Sequence, residues 1–394
     1  MRIAIVSAHT DPLGGADTDG QVAGLAVALA ELGHAVTVYT RRTGADQDTP
    51  ALLAPGAVVE YVPAGPPEPL TKDALPPYMP AFAAWLARRW TLDRPDVAHA
   101  HHWMSGTAAL NAATWLAVPV VQTFHTLGTV ERRWQGTVSD ERIAAERDIG
   151  RRAIAIIATC TDEVRELAAM GVPTERITVV PYGVDLGRFS PDGPAARPAD
   201  QDGRPLTAQV LSVGRLIPRE GVDTIIEALP RVPEARLIVA GGRPGDAEWL
   251  RLRALASASG LAARVRLIGG VGHAEMPALV RSAQVVVSVP WYEPFGMVPV
   301  EAMACGIPVV ASAVGGHLDT VPGCGILVPP RRPLPLAKAL RDLLAHPGLR
   351  ASLAAAGLRR ARSRYGRPWV AARTESVYRE AIGERADRLA TAEG

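Results

Sequence analysis

The sequence predicts an α/β protein made of two doubly wound parallel-sheet domains, and three observations carry that prediction. Short β-branched apolar runs alternate with stretches of helical period, as parallel strands buried on both faces by crossover helices do. The alternation stops once, at Ser190–Pro205, where Pro, Gly, Asp and Ala accumulate without apolar periodicity, and then restarts. The length, 394 residues, exceeds one ordinary core and suits two. Domains are therefore expected over 1–190 and 205–365, with a terminal helix from about 369 to 394.

In the first half, Ile3–Ser7 reads as a buried strand, His9–Gly20 as a loop, and Gln21–Leu32 as a helix with Val22, Leu25, Ala26 and Leu29 on its core face; Gly33 ends it. Ala35–Thr40 is the next strand. This opening aims a glycine-containing turn at a helix N-terminus, where anions are favoured. A dinucleotide site would carry G-x-G-x-x-G there and an acid at the second strand's end; Gly14-Gly15 and Arg41-Arg42 stand instead, so no such cofactor is expected. Asp11, Asp17 and Asp19 are either ordinary turn formers or an attraction for a cationic ligand. Pro63–Pro80, carrying Lys72, reads as a surface loop that enters a helix at Ala81–Trp90.

Asp96–His99 is a short strand ending in His99-Ala100-His101-His102. These histidines straddle a strand end and have no acidic partner at ligand spacing, so no metal is expected. Val118–Thr123 is a strand with His125 and Thr126 at its carboxyl end, where open parallel sheets collect ligands. His125 could equally be a core residue bonded to backbone. A charged helix over Ser139–Arg152 contains Arg142; Ile154–Thr159 is a strand, Thr161–Met170 a helix closed by Gly171, and Ile177–Val180 the last strand.

The second half repeats the pattern. Strands are expected at Val210–Val213, Arg236–Ala240, Val265–Ile268 and Val285–Val289, with helices at Asp223–Leu229, Ala247–Ser259 and Glu275–Ser282 between them. Helices at Leu336–Ala345, Arg350–Ala361 and Trp369–Arg388 close the chain. Arg215 follows the first of these strands, where a guanidinium could hold a diphosphate bidentately or merely form a structural ion pair.

Composition narrows the partners. The formal net charge is +2, so no strong field points to nucleic acid or an anionic membrane. The run Arg359, Arg360, Arg362, Arg364 and Arg367 reads first as a solvated helix face and second as a membrane-surface patch. Cys160, Cys305 and Cys324 give neither a disulfide framework nor a zinc pattern. No apolar run has the length of a signal h-region or a membrane span, and a cytoplasmic protein is expected. The oligomeric state, a homodimer included, is left open.

The most informative stretch is Trp291–Gly306, WYEPFGMVPVEAMACG, at a strand-to-helix turn. Glu293 lies in the turn and Glu301 about one turn into the helix, with Pro299 tolerated in the first turn. Backbone at Phe295-Gly296-Met297 brings free amides to the helix start, where hydroxyls or anions suit them. The two carboxylates could accept hydrogen bonds from a ribose and a hexose; taken singly, each is an ordinary helix-start or loop acid.

Glu293-Pro294-Phe295-Gly296 through Glu301 resembles the E-P-F-G-x-x-x-x-E motif of the retaining nucleotide-sugar glycosyltransferases of family four, whose fold, GT-B, pairs two Rossmann-like domains facing across a cleft. The resemblance covers almost the whole chain. It implies that Gly14 and Gly15 lie over the donor diphosphate and that Arg215 binds it, with Arg219 nearby. It also implies that Val271 and Gly272 read the base through backbone, while Glu293, Pro294, Phe295, Gly296, Met297 and Glu301 hold the sugars. His125 would contact the transferred hexose. Thr126, Lys72 and Arg142 would meet an acceptor phosphate, and His102 replaces an acceptor-pocket aromatic. Gly315-Gly316 and Gly325–Pro329 match family turns, and the last helix is expected to pack back on the first domain. The pattern G-R-L-x-x-x-K-G appears as Gly214-Arg215-Leu216-Ile217-Pro218-Arg219-Glu220-Gly221, with an acid where the family carries a lysine.

The implied function is metal-independent transfer of a hexose from a UDP-sugar, with retention, to a small polar acceptor. Catalytic roles fall to Arg215, His125 and Glu293, and the UDP-sugar is a co-substrate, no other cofactor being expected. Asp11, Asp17, Asp19 and His102 point to an aminocyclitol of the aminoglycoside-antibiotic kind, and Lys72 and Thr126 to an inositol phosphate; the first is the leading expectation. A nucleotide-sugar epimerase and a catalytically silent sugar-nucleotide-binding protein, the latter suggested by Glu220, are the alternatives.

Overall fold

The computed structural model describes residues 1–13, 20–47, 49–196 and 209–393. It divides into two compact units, Met1–Gly183 with Arg367–Gly394, and Val184–Gly366. The chain thus passes between units at Gly183/Val184, ahead of the composition shift at Ser190. Ser190–Ala196 is held inside the second unit: Arg281 donates to the Ser190 and Pro194 carbonyls, and Ala196 N–H to that of Ala278. The remainder of the expected linker, up to residue 208, lies outside the described residues.

Unit 1 runs β1 (Arg2–Val6), α1 (Gly20–Glu31), β2 (Ala35–Arg41), β3 (Ala51–Ala54), β4 (Ala57–Val62), α2 (Met79–Leu92), β5 (Val97–His101), α3 (His102–Ala113), β6 (Val120–Thr123), α4 (Gly128–Gln135), α5 (Asp140–Arg152), β7 (Ala155–Ala158), α6 (Thr161–Ala169) and β8 (Ile177–Val179), and ends with the C-terminal helix (Arg367–Glu393). Among the described residues its sheet has eight strands in the order β3-β4-β2-β1-β5-β6-β7-β8, parallel throughout except for β3 against β4. Strand β1 pairs with β2 on one side and β5 on the other, Val6 facing Tyr39 and Ala100. The winding direction reverses there, and the crevice beyond the carboxyl ends of β1 and β5 is where such a sheet binds ligands.

The core of unit 1 joins Ile3, Ile5, Leu29 and Val38 to Val370, Ala371, Val377, Tyr378 and Ala381 of the C-terminal helix. Those last five recur at helical spacing, so one stripe of the helix lies over the sheet beside α1.

Unit 2 runs β9 (Gln209–Val213), α7 (Val222–Ala228), β10 (Arg236–Ala240), α8 (Ala247–Ala258), β11 (Val265–Gly269), α9 (Met276–Ser282), β12 (Val285–Ser288), α10 (Met297–Ala304), β13 (Val309–Ser312), α11 (His317–Thr320), β14 (Ile326–Val328), α12 (Pro333–Ala345) and α13 (Pro347–Arg360). Its described sheet has six parallel strands ordered β11-β10-β9-β12-β13-β14. The reversal falls between β9 and β12, the strands that precede Arg215 and Glu293. Val210, Leu237, Val239, Val285 and Val310, all buried, form the centre of its core.

Several elements go beyond the sequence reading. The β3–β4 hairpin turns at Gly56, whose φ of 82° suits glycine. Helix α3 begins at His102, where the sequence reading saw only a strand end; eight of its residues are buried, so it shows no amphipathic stripe. Helix α4 and strands β13 and β14 are additional, and Ile326–Val328, expected as part of a turn, is an edge strand. No helix among the described residues is long and apolar enough to cross a membrane.

Candidate active site

In unit 1, five histidines gather at the switch crevice. His9 follows β1, His99 and His101 end β5, His102 opens α3, and His125 follows β6. His101 Nδ1 lies 2.9 Å from His125 Nε2, and His125 Nδ1 makes a short hydrogen bond with the Tyr182 hydroxyl. Both ring nitrogens of His125 are therefore engaged. His99 is fixed by the Tyr378 hydroxyl at 2.7 Å and by Thr123 at 2.9 Å. His102 packs between His9 and His125, with ring centroids 4.1 and 4.3 Å away.

Backbone strain marks the same place. His102 has φ 66° and His125 φ 63°, a left-handed conformation that side chains rarely adopt and that persists only where neighbours hold it. Gln122, fully buried, is one such neighbour: its amide donates to the His102 carbonyl at 3.3 Å and to that of Thr123 at 2.8 Å. Gly106 makes room for it, since a Cβ there would lie 2.1 Å from the Gln122 oxygen. The Ser105 hydroxyl accepts from Ala8 N–H and so steadies the segment carrying His9.

Burial keeps these rings neutral. It pushes His9 and His101 down to about 3, with Lys72 and His101 adding to the effect on His9; His102 and His125 also lie well below the ordinary histidine range. Among the described residues no group of histidine, cysteine and acidic side chains could hold a metal. His9, by both ring nitrogens, and His101, by Nε2, are buried without a hydrogen-bond partner among the described residues. Within unit 1 a pocket is lined by Gln21, Gly24, His101, His125, Tyr182 and Arg367, among others.

The other unit 1 candidates divide. Lys72 is exposed at the start of a short 3-10 turn, and its charge reaches His9, His102 and His125. Thr126 lies beside Arg142, whose guanidinium donates to the Thr126 carbonyl at 3.3 Å and hydroxyl at 3.4 Å. That guanidinium is otherwise taken by Glu146 at 2.8 Å and by Glu131, so Arg142, expected as a phosphate ligand, braces α4 and α5. Glu146, fully buried, also accepts from Gly128 N–H at 2.8 Å. Burial raises its carboxyl while Arg142 opposes the shift. Asp11 likewise serves the loop: it accepts from Leu13 N–H, Gln47 and Tyr61. Gly14, Gly15, Asp17 and Asp19 lie outside the described residues.

In unit 2, Arg215 and Glu293 stand beyond the carboxyl ends of β9 and β12. Glu293 Oε1 accepts from the amides of Phe295 at 3.3 Å and Gly296 at 3.0 Å. Two of the amides expected to face a ligand are thus used within the turn, and the other carboxylate oxygen accepts nothing from the described residues. Pro294 and Met297 are half-buried; Phe295 is buried, its ring edge-on to Tyr365 at 5.9 Å. Gly296, at φ 100°, precedes α10, and Glu301 is half-buried one turn into that helix.

The turn between β13 and α11 clamps this loop. Gly316 N–H donates to the Glu293 carbonyl at 2.9 Å, and a Cβ on Gly315 would come within 2.0 Å of that oxygen. A Cβ on Gly316 would meet Phe295 backbone at 2.4 Å, so glycine is required for close approach. His317 is fully buried, with Nδ1 3.0 Å from the Ser312 carbonyl and Nε2 unpartnered among the described residues, and burial lowers it to about 4. Val271 and Gly272 follow β11 in a turn whose Gly272 carbonyl accepts from Glu275 and Met276.

Glu220 remains beside the arginines. Its Oε1 lies 3.7 Å from Arg215 Nη2 and 3.5 Å from Arg219 Nη2. Arg219 Nη1 points to the Tyr292 carbonyl at 3.4 Å, and its buried Nε has no partner among the described residues. Burial, then Glu293, raises the Glu220 carboxyl. The role of Tyr182 escaped the sequence reading because its partner, His125, is distant in the chain, and those of Gln122, Glu146 and His317 because they depend on burial, which the sequence does not display. The one local hint was the unusual density of histidine near residue 100.

Residues 20–183 match the family described as Glycosyl transferase 4-like domain, and residues 202–360 that described as Glycosyl transferases group 1. A D-inositol 3-phosphate glycosyltransferase of Xylanimonas cellulosilytica is 38% identical, covering 98% of this chain and 98% of that protein. That of Kineococcus radiotolerans is 35% identical over 98% and 97%. Among solved structures, sucrose-phosphate synthase from Thermosynechococcus elongatus superposes with a TM-score of 0.86 at 27% identity, covering 98% of this chain and all (100%) of the other. Anabaena HepE in complex with UDP and glucose gives 0.73 at 22% identity over 95% and 98%, a likeness of fold.

Proposed function

The chain belongs to the family-four glycosyltransferases of the GT-B fold, and on that premise we propose that it transfers a hexose from a UDP-sugar, with retention, to an inositol phosphate. The observation that carries the acceptor is the near full-length match to D-inositol 3-phosphate glycosyltransferases. The exposed Lys72, whose charge reaches the histidine cluster, agrees with a phosphorylated acceptor. The aminocyclitol expectation gains no support from these relatives. Its basis is also thinner, since Asp11 is engaged by Gln47 and Tyr61.

In this reading Arg215 faces the donor diphosphate and stabilises it as the anomeric carbon–oxygen bond breaks. Glu293, with one oxygen uncommitted, and Glu301 accept from donor hydroxyls. The bond formed joins the acceptor oxygen to the anomeric carbon on the face that the diphosphate leaves. The acceptor proton goes to a donor phosphate oxygen: rings held near pKa 3, as His101 is, are poor bases at neutral pH, and both nitrogens of His125 are engaged. His125 then contributes shape and orientation around the hexose.

The test is a transfer assay with a panel of UDP-hexoses against inositol 1-phosphate, inositol 3-phosphate and aminocyclitols. Glycosylated inositol phosphate is the expected product. Product only on aminocyclitols would overturn the acceptor; sugar conversion without any acceptor would replace the reading by epimerisation, and nucleotide binding without turnover by a silent role.

A further inference from the structure

In unit 2 a carboxylate already sits where the donor reading places a diphosphate. Glu220 lies within 3.7 Å of Arg215 and 3.5 Å of Arg219, its side chain 18% exposed. A Cβ built on Gly214 would be 3.6 Å from its other oxygen, so the carboxylate lies against the backbone that ends β9. Both contacts are longer than a good charge-assisted hydrogen bond, so the acid is attracted but not locked. Arg219 Nε, buried and unpartnered among the described residues, leaves the pair able to take a further acceptor. Glu293, from the loop after β12, is the other acid that acts on Glu220.

We propose that Glu220 is a specificity-determining residue that discriminates by charge between the nucleotide sugar and the free nucleoside diphosphate, weakening the second more than the first. This rests on the donor reading given above. A UDP-sugar has its terminal phosphate esterified and presents two negative charges, whereas released UDP presents nearly three at neutral pH. A carboxylate beside the binding arginines repels the extra charge, so the product leaves more readily than a pair of free arginines would allow. The two arginines still attract both ligands, which preserves donor capture while limiting product inhibition.

The measurement is calorimetric titration with UDP and with UDP-glucose on wild type, Glu220→Gln and Glu220→Asp, with thermal unfolding to verify that each variant folds. Removal of the charge in Glu220→Gln is expected to tighten UDP roughly tenfold and UDP-glucose markedly less, the scale of one unit charge a few ångströms away at a partly screened site. Glu220→Asp, which keeps the charge, is expected to retain most of the wild-type ratio. Equal tightening of both ligands, or no change in their ratio, would overturn the role of Glu220 while leaving the donor reading intact. Failure of every variant to bind either nucleotide would overturn both.

Discussion

Arg215 and Arg142 are one residue type in two environments. The Arg215 side chain is 70% exposed, and its ion-pair partner among the described residues is Glu220 at 3.7 Å. Arg215→Ala is therefore expected to fold normally and to lose roughly 10²–10³-fold in transfer rate, the scale of removing one preorganised charge from a transition state. Steady-state kinetics beside a thermal melt would separate this from a folding defect. Arg142 is mostly buried between Glu131 and Glu146. Arg142→Ala strands a buried acid and should cost about 3–5 kcal/mol in denaturant unfolding. Adding Glu146→Gln should recover part of it, and a loss unchanged in the double variant would show that packing dominates.

Among the elements, the turn between β13 and α11 matters to the Glu293 loop out of proportion to its length. Gly316→Ala places a methyl group against Phe295 backbone, with no flexible side chain able to yield. A loss of about 1–3 kcal/mol in stability and weaker nucleotide binding are expected together. Calorimetry that finds binding unchanged would mean that the loop relaxes without moving Glu293. The glycine pair was visible in the sequence as a motif, but its reason was not. The close approach joins segments about twenty residues apart, and nothing local to either predicts it. Helix α3 was hidden for the opposite reason: buried nearly all round, it lacks the one-sided period that reveals a helix.

At the scale of the whole molecule, the C-terminal helix belongs to unit 1 although nearly the full chain separates it from β1. Removing it from Arg367 onward would expose the core under Val370, Val377 and Tyr378 and take away the hydroxyl bonded to His99. Loss of soluble, cooperatively folding protein is expected, read by expression yield and melting. The histidine cluster sets a pH response. His9 and His101 fall to about 3 when folded, below the 6.5 of a free imidazole, so the unfolded chain binds more protons as pH drops. Their contribution is complete above about pH 6.5 and is lost progressively as pH falls towards 3. Melting temperature followed over that range should decline on the acid side, and His101→Asn should flatten the slope.

The sequence alone determined the alternation of strands and helices, the restart after residue 190, and the strand-to-helix turns carrying Arg215 and Glu293, because strand and helix periods and turn chemistry are local properties. It also exposed Glu220 as a departure, by position within a motif. Only the tertiary structure decided what each side chain touches: that Arg142 braces Glu146, that Tyr182 and His101 close on His125, and that Glu220 stays between two arginines. Sheet order and crossover packing bring Tyr182, His101 and His125 together, whereas Arg142 with Glu146 and Glu220 with its arginines are near in the chain and owe their pairing to local backbone geometry and burial. Neither strand order nor burial can be read from neighbours in sequence.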